Sequence, residues 1–202
     1  MSENRKRLQW SIAVTLGVLM ACLGPGATGA QAGPQAVPPC ITPTGIDLNE
    51  RYGVSEPIVA FFCPEIGSGR HWTVTNGWFM APTFGVVPPG FVPAGATPLE
   101  DFIAKFVGVK YVVDPGTQKE KTYFFANGDD LGTFDDGVTV AANPVTLGAL
   151  KPLSVGAHVV DSYLLFSAMH CDGIGDVVAD NCLPPGETLF TSAQFTVTPG
   201  HN

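Results

Sequence analysis

The sequence predicts a mainly β protein, an antiparallel β-sandwich with one short helix at about residues 98–107. Three observations carry this. From Thr188 to Thr198, Leu189, Thr191, Ala193, Phe195 and Val197 share one face, and Phe190, Ser192, Gln194, Thr196 and Thr198 the other. That period of two is what a half-buried strand requires. Glycine (24) and proline (18) are spread through the 202 residues, so turns recur too often for long helices. Only one segment, near residue 98, combines a helix start signal with helical spacing.

The chain opens on Arg5, Lys6 and Arg7. An apolar stretch from Trp10 to Leu23 follows, then a small-residue segment from Gly24 to Ala32 broken by Pro25. This is the layout of a secretory signal peptide over residues 1–32. Its apolar stretch is shorter than the ~20 residues that span a bilayer as a helix. Ala30-Gln31-Ala32 is one cleavage site and Thr28-Gly29-Ala30 a second. Leu19-Met20-Ala21-Cys22 looks like a lipobox, which makes lipidation at Cys22 the alternative to release. Met20 and Leu23 depart from the usual lipobox pattern, so release is favoured. Lys6 separates the two arginines, and no twin-arginine pair results.

Removing or lipidating Cys22 leaves Cys40, Cys63, Cys171 and Cys182, an even set that suggests two disulfides in an oxidising compartment. Three pairings are open. The closest in sequence joins Cys171 to Cys182 and leaves Cys40 with Cys63. No C-x-x-C is present, so a zinc ribbon or thioredoxin motif has no support. The net charge is −8. Loss of residues 1–32 takes three basic side chains and one acidic, leaving 7 basic against 17 acidic. Such a chain is repelled by phosphate backbones and anionic lipid, which disfavours nucleic acid as a partner.

Residues 33–44 read as a flexible Pro/Gly/Ala-rich lead, and 45–202 as a single sandwich domain with an elaborated N-terminal half. Pro57 to Cys63 fits a short buried strand. Arg70 to Thr75 is a second strand, Asn76-Gly77 a hairpin turn, and Trp78 to Met80 the return. Pro82, Pro88, Pro89 and Pro93 make 81–96 a long connection. Thr97-Pro98-Leu99-Glu100 is a capping box with proline at the first helical position. Leu99, Phe102, Ile103 and Phe106 follow at helical spacing, Asp101 and Lys105 lie on the other face, and Gly108 ends the helix. Lys110–Val113 and Lys121–Phe125 are strands flanking the turn residues Asp114-Pro115-Gly116-Thr117. An acidic loop precedes a strand at Val138–Ala142. Ala157–Met169 and Thr188–Thr198 form an antiparallel hairpin, stapled near its tip by the Cys-to-Cys loop.

Leu150-Lys151-Pro152-Leu153-Ser154-Val155-Gly156-Ala157-His158-Val159-Val160 resembles the strand entry of immunoglobulin-like modules in secreted bacterial proteins. His170-Cys171-Asp172-Gly173-Ile174-Gly175-Asp176, with Asn181-Cys182-Leu183-Pro184-Pro185-Gly186-Glu187, resembles a group of uncharacterised secreted immunoglobulin-like β-sandwich proteins of high-GC Gram-positive bacteria. Pro93-Ala94-Gly95 and Val112-Val113-Asp114 are similar to the same group. The resemblance covers about residues 90–200. It implies secretion and an immunoglobulin-like sandwich, and no activity.

Catalytic motifs are missing. There is no G-x-S-x-G elbow, and Gly67-Ser68-Gly69 lacks the lysine and helix of a phosphate loop. His71, His158 and His170 are not placed together by any spacing. Asp129, Asp130, Asp135 and Asp136 are a candidate Ca²⁺ set, as hard oxygen donors, although the EF-hand order is not met and solvated turns explain them as well. Asp172, Asp176 and Asp180 form a second acidic loop. Trp72 and Trp78, with Phe79, Phe84 and Phe91, are a candidate aromatic binding surface if exposed and core if buried. The preferred expectation is a secreted, non-enzymatic protein that binds an extracellular protein or glycan at the cell surface, with no cofactor. The alternatives are an extracellular hydrolase with an unrecognised carboxylate pair and a Ca²⁺-stabilised envelope protein.

Overall fold

The chain is mainly strand, as its alternation predicts, but among the described residues it builds a curled mixed sheet and two helices. The computed structural model describes residues 37–75, 77–128, 131–135, 140–144, 149–177 and 181–200, with backbone alone for 131–135 and 140–144. The signal segment, Cys22, Asn76 and the side chains of Asp129, Asp130, Asp135 and Asp136 lie outside the described residues. In chain order the elements are α1 (Leu48–Tyr52), β1 (Ile58–Val59), β2 (Glu65–Gly67), β3 (Thr73–Val74), β4 (Trp78–Met80), α2 (Pro98–Lys105), β5 (Phe106–Val113), β6 (Lys121–Ala126), β7 (Leu131–Asp135), β8 (Val140–Pro144), β9 (Gly156–Phe166), β10 (His170–Cys171), β11 (Cys182–Leu183) and β12 (Gly186–Thr198).

The main sheet runs β2-β12-β9-β5-β6. The expected hairpin is there: β9 and β12 pair antiparallel from Gly156↔Val197 to Phe166↔Gly186. β10 and β11 continue it to the disulfide between Cys171 and Cys182. β5 and β6 pair antiparallel around the Asp114–Thr117 turn. The expectation of wholly antiparallel pairing fails at the edge, where β2 adds to β12 in parallel. A three-stranded antiparallel sheet, β4-β8-β7, and a parallel pair, β1-β3, complete the set.

The hairpin expected at Asn76-Gly77 does not form. β3 pairs with β1 and β4 with β8, so the dipeptide joins two different sheets. Thr73 and Val74 are both buried, and a strand covered on both faces has no solvated side to present as a two-stranded ribbon. The Pro57–Cys63 strand is also shorter than expected. It stops at Val59, and the chain turns at Phe61-Phe62.

Alternation puts His158, Val160, Ser162, Leu164 and Phe166 of β9 inside. On β12 the uninterrupted face expected from Leu189 to Val197 is broken by a bulge between Leu189 and Thr191. One extra residue inverts the facing. Phe195 and Val197 are therefore buried, Phe190 packs against the core, and Leu189 is exposed.

The helix α2 carries the full capping box, but its buried face differs from the expectation. Pro98, Asp101, Phe102 and Lys105 are buried, and Ile103 is 42% exposed. It ends at Lys105, where Phe106 takes extended geometry. Gly108 is a strand residue opposite Ala126, where an added Cβ would meet the Phe125 carbonyl oxygen and the Phe124 ring. The second helix, α1, was not expected. Asp47 caps it, accepting from Asn49 and Glu50 N–H, and Gly53 closes it at φ 65°, the left-handed C-terminal residue such ends favour.

The main core collects Val109, Tyr111, Val113, Val160, Leu164, Phe166, Phe195 and Val197 from the large sheet. Val59, Trp72, Val74, Met80, Phe102 and Leu150 cover them. A satellite cluster joins Cys40, Leu48, Val54, Ile58 and Ala60, with Tyr52 and Cys63 against it. The described residues form one compact unit.

Candidate functional site

The four cysteines pair as Cys40–Cys63 and Cys171–Cys182. Two disulfides favour an oxidising or extracellular compartment. No described helix is long and apolar enough to cross a membrane.

The expected aromatic surface is not where the tryptophans lie. Trp72 is 0% exposed, donates its indole N–H to the Lys151 carbonyl at 2.9 Å and packs on Phe195 at 5.0 Å. It is core, because an apolar sheet face this large needs its volume. Trp78 is half-buried against Phe190 and His170. Phe84 and Phe91 meet edge to face at 5.4 Å, and the Lys105 ammonium sits 4.4 Å over Phe91.

The exposed aromatic pair is Phe61-Phe62. Cys63 N–H donates to the Ala60 carbonyl at 2.9 Å and Ala60 N–H to the Cys63 carbonyl at 3.4 Å. The two phenylalanines therefore occupy the corners of a closed turn. Phe61 is 96% exposed. The disulfide to Cys40 fixes the base of the turn. Cys40 N–H donates to Asn49 Oδ1, and Asn49 Nδ2 donates to the carbonyls of Val54 and Glu56. Phe62 also lines a groove of about 530 Å³ with Pro39, Ile66, Arg70 and Pro199. Nothing in the hydrophobic period marks this pair. The available signal was Pro57 and Pro64, which leave too little chain for both a strand and its reversal unless Phe61-Phe62 is the reversal.

A second cleft, about 550 Å³, is lined by Glu65, Asp114, Thr117, His158 and Gln194. His158 Nδ1 faces Asp114 Oδ2 at 2.8 Å and its Nε2 faces the Ser154 carbonyl at 2.8 Å. Both ring nitrogens are engaged. His71 is exposed on the segment before β3. No group of three or more His, Cys, Asp or Glu side chains is arranged to hold a metal ion among the described residues.

His170 is 0% exposed, and its Nδ1 meets Asp101 Oδ2 at 2.9 Å. Burial pushes its pKa down, against the opposing pull of Asp101. Asp101 also accepts from Lys105 Nζ at 2.6 Å and from Ala94 N–H at 2.7 Å. Lys105 Nζ donates further to the carbonyls of Val92 and Met169. This hub ties α2, the 91–94 connection and β10 together. Its residues were expected to be a solvated helix pair and a lone histidine.

In the stapled loop, Asp172 accepts from Ile174 N–H at 2.7 Å, an Asx turn. Burial raises its carboxyl to about 6. The folded state therefore holds this proton more tightly than the unfolded chain, so stability from Asp172 is full below pH ~4 and falls as pH rises towards 6. His170 acts in the opposite sense, losing stability as pH falls through its unfolded pKa of about 6.5. Asp172→Asn keeps the acceptor oxygen and removes the charge. Between pH 4 and 6.5 the melting temperature of the variant is expected to gain on that of the parent as pH rises. Parallel curves in a pH series of thermal melts would contradict this.

Comparison with protein-family models, with curated proteins and with solved structures finds no match.

Proposed function

We propose that this chain is an exported, non-catalytic binding module that inserts the Phe61-Phe62 turn into an apolar pocket of an extracellular protein partner. The carrying observation is Phe61, 96% exposed at the corner of a turn clamped by a disulfide. Turn corners are the province of Gly, Pro, Asn, Asp and Ser. A phenylalanine pair there breaks local chemistry, Phe61 without any gain in packing, and such conflicts concentrate at functional sites. The clamp supports binding because a turn held rigid before contact loses little further entropy on association. The turn is convex, which suits insertion into a partner; a sugar ring would instead be held within a concave site. The net charge of −8 disfavours anionic lipid and phosphate polymers.

Export is supported by the basic and apolar opening of the chain together with the two disulfides, and release over lipidation by the departures of Met20 and Leu23 from a lipobox. The layer of β1, β3 and β4 shares core side chains with the main sheet, which supports a two-layer sandwich. Against a hydrolase, Asp172, the carboxyl with raised proton affinity, lines neither cleft, and Asp114 is engaged by His158.

The test replaces Phe61 with a photo-crosslinking phenylalanine analogue in the exported full chain, with Phe79, an exposed aromatic on β4, as the control position. A discrete protein adduct at 61 and none at 79 is expected. With that partner purified, Phe61→Ala is expected to weaken binding roughly 30-fold, as loss of a buried aromatic anchor does, with stability unchanged within about 0.5 kcal/mol. Adducts only to glycan or lipid, or equal labelling at both positions, would overturn the reading.

A further inference from the structure

Two buried polar atoms in the contact between β4 and β10 lack partners and are complementary. His170 Nε2 and Trp78 Nε1 both have no hydrogen bond. Asp101 is an acceptor for three donors, namely Ala94 N–H, Lys105 Nζ and His170 Nδ1. A carboxylate so placed holds the histidine proton on Nδ1, which leaves Nε2 as a bare lone pair. Trp78 Nε1 can only donate. The ring centroids of Trp78 and His170 are 6.4 Å apart and the planes meet edge to face at 61°. The imidazole cannot swing away to find another partner. It stacks on Phe166 at 5.2 Å and 15°, and meets Phe102 at 5.2 Å nearly at right angles.

We infer that a single buried water molecule is bound here, donating to His170 Nε2 and accepting from Trp78 Nε1–H. Each atom left bare carries an uncompensated desolvation cost, and water is the smallest ligand that offers a donor to one and an acceptor to the other. Lys105 cannot serve Nε2, because its ammonium already faces Asp101 and the carbonyls of Val92 and Met169. The water makes the hub a continuous chain from Lys105 through Asp101 and His170 to Trp78. It thereby joins the β4-β8-β7 sheet to α2 and β10 by polar contacts as well as apolar ones. This inference is independent of the binding turn, which lies on the satellite cluster.

The experiment uses the oxidised, uniformly 15N-labelled chain. A rotating-frame cross-peak between the Trp78 indole proton and a long-lived water is expected, together with nitrogen shifts of His170 that report the Nδ1–H tautomer. Trp78→Phe keeps a ring and removes the donor. It is expected to lose that water signal and to move the Nε2 resonance downfield, towards an unbonded nitrogen. Should the variant not fold, the parent spectra decide alone. A scalar coupling across a direct Trp78 N–H···Nε2 bond, a protonated Nε2, or an indole proton with no water contact would overturn the inference. Electron density at the site too large for one water would do the same.

Discussion

Replacing Asp101 with alanine is expected to lower the unfolding free energy by about 3–5 kcal/mol, the cost of breaking one side of a buried ion pair. For a domain of this length that corresponds to a melting temperature lower by roughly 10 °C. Asp101 is 0% exposed and Lys105 5%. Without the carboxylate, the Lys105 ammonium stays pinned between the Val92 and Met169 carbonyls with its charge uncompensated. His170 Nδ1 and Ala94 N–H lose their acceptor at the same time. The loss is therefore one of pairing, and removing the charged partners should reverse some of it. A triple variant, Asp101→Leu with Lys105→Met and His170→Phe, is expected to recover part of the stability, because packed apolar side chains replace the buried ions at little net cost while the Ala94 N–H and the Val92 and Met169 carbonyls still lack their partners. Urea unfolding followed by tryptophan fluorescence measures both. A single-variant loss below about 1 kcal/mol would show that water already reaches the pair.

The same pair shows where sequence reasoning stops. The capping box, the proline at the first helical position and the helix itself were legible, because they depend on residues within four of one another. The rotation of α2 about its axis was not. Spacing places Asp101 and Lys105 on one face, and charge assigns that face to solvent. Only the arrival of His170, 69 residues away, and of the Met169 carbonyl makes burial affordable. β9 and β12 were legible by their alternation, whereas the Leu189/Thr191 bulge that inverts half of β12 leaves no mark in composition. The parallel addition of β2 to β12 joins strands some 130 residues apart, a pairing no local pattern specifies. Phe61-Phe62 reads as strand by hydrophobicity and as corner by the prolines around it, and in the structure it is a corner.

Removing the Cys40–Cys63 bridge, as Cys40→Ala with Cys63→Ala, is expected to cost about 3 kcal/mol by loop-closure entropy over a separation of 23 residues. The loss should be local in the first instance. Cys40, Leu48, Val54, Ile58 and Ala60 form their own cluster, and strand β1 is its seam with the main core, Ile58 facing the satellite and Val59 the large sheet. Hydrogen exchange is therefore expected to quicken at the amides of residues 40–63, while β5, β9 and β12 keep their protection. Sub-global opening of this kind is how small clusters fail. The binding proposed for Phe61 should weaken along with it, because an unclamped turn must be ordered on contact. The Cys171–Cys182 pair offers the contrast. It closes a loop of separation 11 beside the buried His170, so its removal should loosen β10 and the hub and leave the Phe61 turn intact. If losing Cys40–Cys63 instead speeds exchange equally across β9 and β12, the satellite is part of the cooperative core, and the rigidity of the Phe61-Phe62 turn comes from the whole sheet.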